Sequence, residues 1–225
     1  MLLIVNKPAG LPVHVGPGGG DNLGHYLDAL RFGLPRLPQL AHRLDRDTSG
    51  CLVLGRHAEA LRRLGRLFEQ GRVEKIYWAV VAGAPPQTEG RIDQPLLRSL
   101  RPGGYGFRML PDPTGQEAIT DYKVLGQHNG QSWLELRPRT GRTHQLRAHM
   151  AALETPIVGD NKYGKEPSRS HGEIPNRLML HARSLRIRHP KGHMLDVRAP
   201  LPPHMAKVWD MFGWDKNDKR DPFEE

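Results

Sequence analysis

Residues 42–54 read HRLDRDTSGCLVL, a dense polar run that passes directly into an apolar one. The apolar part, residues 51–54, has the length of a short buried strand, so the polar part is a loop that feeds this strand. The loop carries two carboxylates, two guanidiniums, an imidazole and two hydroxyls. A turn in which Asp45 or Asp47 caps backbone amides would account for the carboxylates, and a catalytic loop is the alternative.

Apolar runs on both sides of this loop predict further strands, and apolar residues at helical spacing predict helices between them. The predicted strands cover residues 2–5, 51–54, 76–81, 118–125, 133–136, 178–188 and 194–197. The predicted helices cover residues 22–32, 57–70, 143–153 and 202–212. Thr143 is the expected N-cap of the third helix. Asn129-Gly130 predicts a hairpin turn, because this dipeptide adopts the positive φ values that tight hairpins need.

These elements together predict an α+β fold with a mixed, largely antiparallel sheet flanked by helices and loops. One catalytic domain is expected over residues 1–213, followed by a charged tail over residues 214–225. Residues 91–115 are rich in Pro, Gly and Arg and show little periodicity. They are predicted to form a long excursion over the surface of the same domain.

The composition limits the partners and the compartment of the protein. With 225 residues and 37% hydrophobic content, the chain can close one sizeable core. A net charge of +9 and a pI near 10.0 favour a polyanionic partner such as nucleic acid. The longest apolar stretch, residues 77–82, is far too short to span a membrane, and the N-terminus lacks a secretory signal. The single cysteine excludes an internal disulfide, so we expect a cytoplasmic protein.

A second polar segment, residues 137–150, reads RPRTGRTHQLRAHM and holds four arginines within eleven residues. Backbone amides at the start of the predicted helix, together with Arg142, would form a site for an anion such as phosphate. A solvated basic helix start is the alternative. His144 and His149 are five residues apart, so they do not share a helix face and do not form the usual zinc pair.

A metal site is the competing interpretation of the first loop. His42, Asp45, Asp47 and His57 could together bind a divalent ion. The two arginines of the loop would place positive charge beside that ion, which disfavours this interpretation. The sequence also lacks a dinucleotide-binding fingerprint and a phosphate-binding P-loop, so no cofactor is predicted.

The two polar segments together resemble the signatures of the RluA family of pseudouridine synthases, which are RNA-modifying isomerases. HRLDxxTSG at 42–50 matches the family's catalytic-loop signature, and GRTHQLRxHM at 141–150 matches its second signature. Further agreement comes from NKPAGL at 6–11, EKIYWAVVAG at 74–83, PIVGD at 156–160 and LMLHA at 178–182. Many members carry an N-terminal S4-type RNA-binding domain, and this chain resembles the short, single-domain form without one.

The resemblance implies that the protein converts uridine within RNA to pseudouridine, with no redox change and no cofactor. Asp45 matches the family's catalytic aspartate, and Arg147 matches the arginine that pairs with it. A guanidinium beside a carboxylate favours the ionised form, which is needed whether the carboxylate acts as a nucleophile or stabilises charge. Tyr77 matches the active-site tyrosine that stacks on the target base, and its alternative is an ordinary strand tyrosine.

The resemblance also implies how RNA is held. A uridine inside a stem or stacked loop reaches a buried carboxylate only if the nucleotide is flipped out. Arg43 matches the position that the family uses to enter the vacated space. Backbone contacts are expected from Lys7, Arg139, Arg142 and His144. The expected substrate is a stem-loop of ribosomal or transfer RNA, and the protein is expected to be a monomer.

Two other functions fit part of the same pattern. An RNA-binding module without catalysis would use the basic charge and would not need Asp45. A glycoside hydrolase would use Asp45 and Asp47 as its pair of carboxylates. Loss of all product with retained RNA binding in Asp45→Asn would identify the enzyme.

Overall fold

The structure is a computed structural model that describes residues 1–15, 19–100, 106–164, 174–189 and 191–218. The chain forms two compact units. The first consists of Met1–Lys75 and His181–Pro202, and the second of Ile76–Leu180 and Pro203–Glu225. Each unit therefore combines segments that are far apart in the sequence.

The first unit is centred on β3 (Ser49–Gly55), all of whose residues are buried. β1 (Leu2–Lys7) pairs antiparallel with β3 along its whole length, and β2 (Gln39–Leu40) also pairs antiparallel with β3. Because β3 begins inside the polar segment 42–50, the end of this segment is fixed within the sheet.

The other edge of β3 adjoins a strand from the far end of the chain. β10 (Leu180–Arg188) runs parallel to β3 and forms an antiparallel hairpin with β11 (Met194–Arg198). α1 (Ala58–Glu69) lies against β3, and its Leu64 is buried together with Val53. The parallel pairing of β10 with β3 makes the sheet mixed, and the predicted α+β class is confirmed.

The parallel pairing also explains the glycine that ends the polar segment. Gly50 has a φ of +110°, and a Cβ at this position would lie 2.2 Å from the carbonyl oxygen of Ala182. No side chain fits in this space, so close approach of β3 and β10 requires glycine here.

The second unit contains four antiparallel strands that neighbour each other in the order β4, β9, β8, β5. They are β4 (Glu74–Ala82), β5 (Glu89–Asp93), β8 (Ile119–His128) and β9 (Gln131–Pro138). Asn129 and Gly130 have positive φ and join β8 to β9, so the predicted hairpin is confirmed.

The same unit has a separate two-stranded sheet and two helices. β6 (Leu96–Leu100) and β7 (Phe107–Pro111) pair antiparallel, and we call them the β6–β7 ribbon. α2 (Gln145–Ala152) follows β9 and packs on β7. α3 (Pro203–Phe212) completes the unit.

Tryptophans hold α3 in place. Trp209 of α3 lies edge-on to Trp133, with ring centroids 5.3 Å apart, and stacks on Trp78 at 5.9 Å. Trp214, at the start of the predicted tail, is also edge-on to Trp209 at 5.3 Å. Large aromatic rings in edge-to-face contact stabilise a core beyond the area that they bury.

The predicted helix over residues 22–32 is wrong. Only Leu23–Tyr26 forms a short 3₁₀ helix, and the Asn22 side chain accepts a hydrogen bond from the Gly24 amide. Phe32 has a φ of +48°, outside the helical region. Glycine at the second position and the local Asn22 bond favour a turn over a continuous helix.

Residues 91–115 differ from the prediction as well. This segment contains the end of β5 and the whole β6–β7 ribbon. Leu97 and Leu110 face each other across the ribbon and remain 42% and 44% exposed. Apolar residues on the outer face remove the alternation from which a strand would be predicted.

Across the part of the chain that the structure describes, no helix is long and apolar enough to cross a membrane.

Candidate active site

The polar segment 42–50 presents one sheltered carboxylate and one exposed carboxylate. Asp45 is partly buried, and its carbonyl accepts a hydrogen bond from the Thr48 amide at 3.2 Å. Asp47 is 54% exposed and lies 3.7 Å from the Arg46 guanidinium. Arg43 is exposed. Asp45 is therefore the carboxylate of this segment that is better shielded from water.

Lys7 anchors this segment from β1. Its side chain is only 1% exposed, and Nζ donates to the carbonyls of Pro8, Leu11 and Arg46 at 2.8, 2.9 and 2.9 Å. Burial lowers the pKa of Lys7 to about 8, and the charges of Asp47 and then Asp45 act in the opposite direction. An ammonium donates three hydrogen bonds, so all its donors are used here.

The sequence predicts that Lys7 contacts the RNA backbone, and in the structure its ammonium contacts backbone carbonyls of the protein itself. A buried ammonium whose three donors point at backbone carbonyls does not face a phosphate in solvent. Lys7 instead fixes the Arg46 carbonyl, next to Asp45 in the sequence. The Gly10 amide donates to the same carbonyl at 2.9 Å.

His42 anchors the start of the segment. Its Nε2 accepts a hydrogen bond from the Val53 amide at 3.0 Å, and its ring stacks on Phe68 with centroids 4.3 Å apart. Burial, assisted by the charge of Lys75, lowers the pKa of His42 to about 3. The imidazole is therefore neutral near pH 7 and acts as a hydrogen-bonding link between the loop and β3.

The structure argues against a metal site made from these histidines. His57 is the N-cap of α1, and its Nδ1 accepts a hydrogen bond from the Ala60 amide. His42 uses Nε2 in the same way. A ring nitrogen that accepts a backbone hydrogen bond has no lone pair left for a metal ion.

Ser49 and His181 fix the other end of the segment. The Ser49 hydroxyl lies 2.8 Å from His181 Nδ1, and His181 Nε2 lies 3.2 Å from the Ala199 carbonyl. Since the carbonyl only accepts, Nε2 carries the proton and Ser49 donates to Nδ1. Both side chains are buried, with exposures of 1% and 0%, so the pair links β3 to β10.

The second polar segment is organised around the buried side chain of Gln145. Its Oε1 accepts from the Thr140 hydroxyl at 2.7 Å and from the Arg142 amide at 3.0 Å. Its Nε2 donates to the Ile119 carbonyl and to the Thr120 hydroxyl. One amide thus ties the loop before α2 to β8.

The network continues to His149. The Gln94 carbonyl only accepts, so His149 Nε2 carries the ring proton and Nδ1 accepts from the Thr120 hydroxyl at 2.9 Å. His149 Nε2 then donates to the Gln94 carbonyl at 3.0 Å. Burial lowers the pKa of His149, which agrees with a neutral ring. The His149 ring therefore links α2 to Thr120 of β8 and to the Gln94 carbonyl.

Arg147 forms a buried ion pair with Asp160. Its Nε and Nη2 donate to the two carboxylate oxygens at 2.7 and 2.8 Å. The amides of Lys162 and Tyr163 donate to the same carboxylate. Burial alone would raise the pKa of Asp160, but the Arg147 guanidinium and the two amides lower it. A bidentate pair of this kind fixes the plane and the orientation of the guanidinium.

The other predicted site residues of the second unit lie in β4 and in the segment between β9 and α2. Tyr77 is half-buried in β4, opposite Leu136 of β9. Arg139 donates to Asp121 at 2.6 Å, and Arg142 Nε donates to the Glu117 carbonyl at 2.8 Å.

His144 occupies the position predicted for Thr143. It is the residue before α2, has a φ of +52° and makes no side-chain cap bond. The expectation that Thr143 caps the helix is therefore wrong. His144 Nδ1 lies 2.9 Å from the Tyr163 hydroxyl, which turns the ring away from the helix end.

Comparison with known proteins identifies the family to which this chain belongs. The model of the RNA pseudouridylate synthase family matches residues 1–152. The chain belongs to this family. As an RNA pseudouridine synthase it is an isomerase, and the resemblance to the RluA family is confirmed.

Individual relatives agree with this assignment. An uncharacterized RNA pseudouridine synthase of Zymomonas mobilis is 46% identical over 201 residues, which cover 89% of this chain and 90% of that protein. Ribosomal large subunit pseudouridine synthase D of Haemophilus ducreyi is 34% identical over 222 residues, which cover 92% of this chain and 66% of that protein. The structure of human RNA pseudouridylate synthase domain containing 4 has a TM-score of 0.77 at 27% identity, covering 94% and 90% of the two chains.

The structure adds partners that the sequence did not assign to this pseudouridine synthase. Asp160 and His181 lie in segments that carry the family resemblance, yet the first is the partner of Arg147 and the second the partner of Ser49. These contacts join residues 13 and 132 positions apart. In the sequence, these two residues stand out only because they lie in the family-like stretches PIVGD and LMLHA.

Proposed function

We propose that this enzyme converts specific uridines in structured ribosomal or transfer RNA to pseudouridine, with Asp45 as the catalytic carboxylate. The observation that supports Asp45 is the fixation of its loop by three groups outside the catalytic position: His42, Lys7 and Ser49. A carboxylate acts efficiently when its surroundings hold it in the productive position before the substrate binds. Asp47, which is exposed, lacks such shelter.

The reaction breaks the bond between the base N1 and the ribose C1′ and forms a bond between C5 and C1′. The proton of C5 is lost and a proton is gained at N1, so atoms and charge balance without an oxidant. Ionised Asp45 either attacks the substrate or stabilises positive charge at C1′. Following the family resemblance, Arg147 is assigned as the arginine that pairs with the catalytic aspartate.

Tyr77 and Arg43 complete the proposed chemistry. Tyr77 would stack on the flipped base, for which its half-buried position in β4 is suitable. Arg43 is exposed and would fill the space that the base leaves, because a planar guanidinium both stacks and binds phosphate. Arg139, Arg142 and His144 would contact the RNA backbone.

Ribosomal RNA is the first substrate to test, since the Haemophilus ducreyi relative is named for the large ribosomal subunit. The bacterial relatives also favour action in the cytoplasm, and we propose that the enzyme works as a monomer. A pseudouridine map of total RNA with and without this enzyme would identify the modified uridine. Sedimentation at working concentration would give the oligomeric state.

The catalytic assignment is tested by Asp45→Asn with Asp47→Asn as its matched control. Asp45→Asn is expected to abolish turnover while RNA affinity changes by less than about tenfold, because the carboxylate serves the chemical step. Asp47→Asn is expected to retain most of the activity. Steady-state conversion by Asp45→Asn would remove this residue from its role. Arg147→Lys is expected to lower turnover substantially, because an ammonium does not reproduce the bidentate geometry.

A further inference from the structure

The β6–β7 ribbon is firmly attached to the second unit rather than a loose surface excursion. Leu96 and Met109 are buried in a cluster with Ala148 of α2 and Tyr163. Tyr163 also accepts a hydrogen bond from the Met109 amide at 2.9 Å. A ribbon anchored in this way can hold residues at its surface in a defined position.

Cations and aromatic rings converge at the start of β7. The Arg98 guanidinium lies 4.2 Å from the centroid of the Phe107 ring, and Lys162 Nζ lies 4.5 Å from it. The His144 ring is nearly parallel to Phe107, with centroids 5.5 Å apart and planes 8° apart. We call Arg98, Phe107, His144 and Lys162 the Phe107 cluster.

Tyr163 connects the Phe107 cluster to Arg147. The Tyr163 oxygen accepts from the Met109 amide and is also hydrogen-bonded to His144 Nδ1 at 2.9 Å. The Arg147 guanidinium lies 5.3 Å from the centroid of the Tyr163 ring. A continuous series of contacts therefore runs from the exposed Arg98 to the arginine of the second signature.

The charge of the Phe107 cluster is positive and Arg98 is exposed. Among the described residues, no carboxylate lies within ion-pair distance of Arg98, whereas Arg91 and Arg139 both pair with Asp121. A guanidinium stacked on an aromatic ring keeps its N–H edge available for bidentate contact with a phosphate. A guanidinium held in this way has the chemistry of a phosphate contact.

We infer that the Phe107 cluster is a contact site for the RNA substrate, in which Arg98 binds a backbone phosphate. Aromatic and guanidinium planes suit RNA, whose unpaired bases stack on such surfaces. The net charge of +9 favours a polyanion over a neutral partner. This inference rests on the proposed function, because it assigns the ribbon to the same RNA that is modified.

The inference is tested by RNA binding at several salt concentrations. The probe is a fluorescent stem-loop RNA with uridines in its loop, and the enzyme is the full chain with or without Arg98→Ala. Arg98→Ala is expected to weaken binding about tenfold and to flatten the slope of log K against log[salt] by roughly 0.7 to 0.9, the value for one phosphate contact. Phe107→Leu, which keeps apolar bulk but removes the ring, is expected to weaken binding by a smaller factor.

Arg62→Ala is the matched control, because Arg62 is an exposed arginine on α1 in the other unit. Its affinity and salt slope are expected to stay at the wild-type values. The inference is overturned if Arg98→Ala binds this RNA like the wild type, or if Arg62→Ala reduces the slope equally. Thermal melts confirm that both variants are folded.

The same experiment separates this inference from the proposed function. Binding is measured without conversion, so an absence of pseudouridine in all RNAs would contradict the proposed function and leave the binding comparison intact. If the enzyme forms pseudouridine normally but Arg98→Ala has no effect on affinity or slope, only the inference fails. An acidic peptide that competes for Arg98 while RNA does not would also overturn it.

Discussion

The two signature segments of this enzyme are held by different chemistry. Residues 42–50 are fixed largely from outside: Lys7 reaches in from β1, and His181 reaches in from β10. In residues 137–150, the segment's own Gln145 and Arg147 provide the anchoring contacts. A loop that is anchored by other elements keeps its own carboxylates and arginines available for chemistry. A segment that anchors itself has fewer side chains to spare for a substrate.

Removing Asp160 gives the largest expected effect and tests how strongly the second segment depends on its ion pair. Asp160→Asn removes the carboxylate that holds the buried Arg147 guanidinium in a bidentate pair, and breaking a buried pair in this way costs about 3 to 5 kcal/mol. Urea unfolding measures this loss. Asp196→Asn is the control, because its pair with Arg186 is exposed and contributes less than about 1 kcal/mol. If the two variants lose the same free energy of unfolding, the buried pair does not stabilise the second segment more than the exposed pair stabilises its surroundings.

Lys7→Met tests the external anchor of the first segment. It leaves buried carbonyls without a donor, so we expect the free energy of unfolding to fall by about 2 kcal/mol. We also expect kcat to fall more than RNA affinity, because the loop that carries Asp45 is no longer fixed. Lys123→Met, which removes an exposed lysine facing Glu89, should leave both quantities nearly unchanged. Wild-type kcat in Lys7→Met would show that the anchor is not needed for the reaction.

His42 makes the stability of the first unit dependent on pH. Burial lowers its pKa from the usual 6.5 to about 3 in the folded protein, so below pH 6.5 the unfolded chain binds a proton that the folded protein does not. The stability that His42 contributes is thus present above pH 6.5 and is lost as the pH falls towards 3.

The size of this effect is measured by comparing the wild type with His42→Gln. The wild type is expected to lose up to about 1.4 kcal/mol more per pH unit than the variant between these limits. Glutamine, whose side-chain amide reaches the position of Nε2, can still accept the Val53 hydrogen bond but does not titrate, so the comparison isolates the effect of the proton. Parallel stability curves in urea unfolding from neutral to acidic pH would show that the imidazole does not govern this dependence.

The sequence predicts local elements well where a pattern is strong. The buried run of β3, the amphipathic α1 and the Asn129-Gly130 hairpin are confirmed, because each depends on residues close together in the chain. The ribbon was missed because its outer residues Leu97 and Leu110 break the alternation expected of a strand. Periodicity reports which face is buried, and a ribbon with apolar residues on both faces gives no clear period.

The sequence signatures identify candidate site residues, but they do not show the contacts that hold these residues in the folded protein. The signatures name Asp45 and Arg147, but nothing local shows that Arg147 bonds Asp160 or that Lys7 reaches the Arg46 carbonyl. Lys7 is expected from the family resemblance to contact the RNA backbone, whereas its ammonium is buried among backbone carbonyls. Its burial follows from the pairing of β1 with β3, which sequence spacing does not encode.

The smallest effect is expected at the surface of the second unit, where Asp121 pairs with both Arg91 and Arg139. If Arg139 contacts the RNA backbone, it has to leave Asp121 when RNA binds. Asp121→Asn should therefore change stability by less than about 1 kcal/mol but tighten RNA binding about twofold to threefold, with a steeper salt slope. Glu59→Gln, which frees Arg63 on α1 and changes the net charge by the same amount, is the control. Tighter binding in Asp121→Asn alone supports a local role for Arg139. Equal tightening in both variants would mean that only the net charge acts, and Arg139 would then be a surface arginine that its carboxylate neighbour keeps in place.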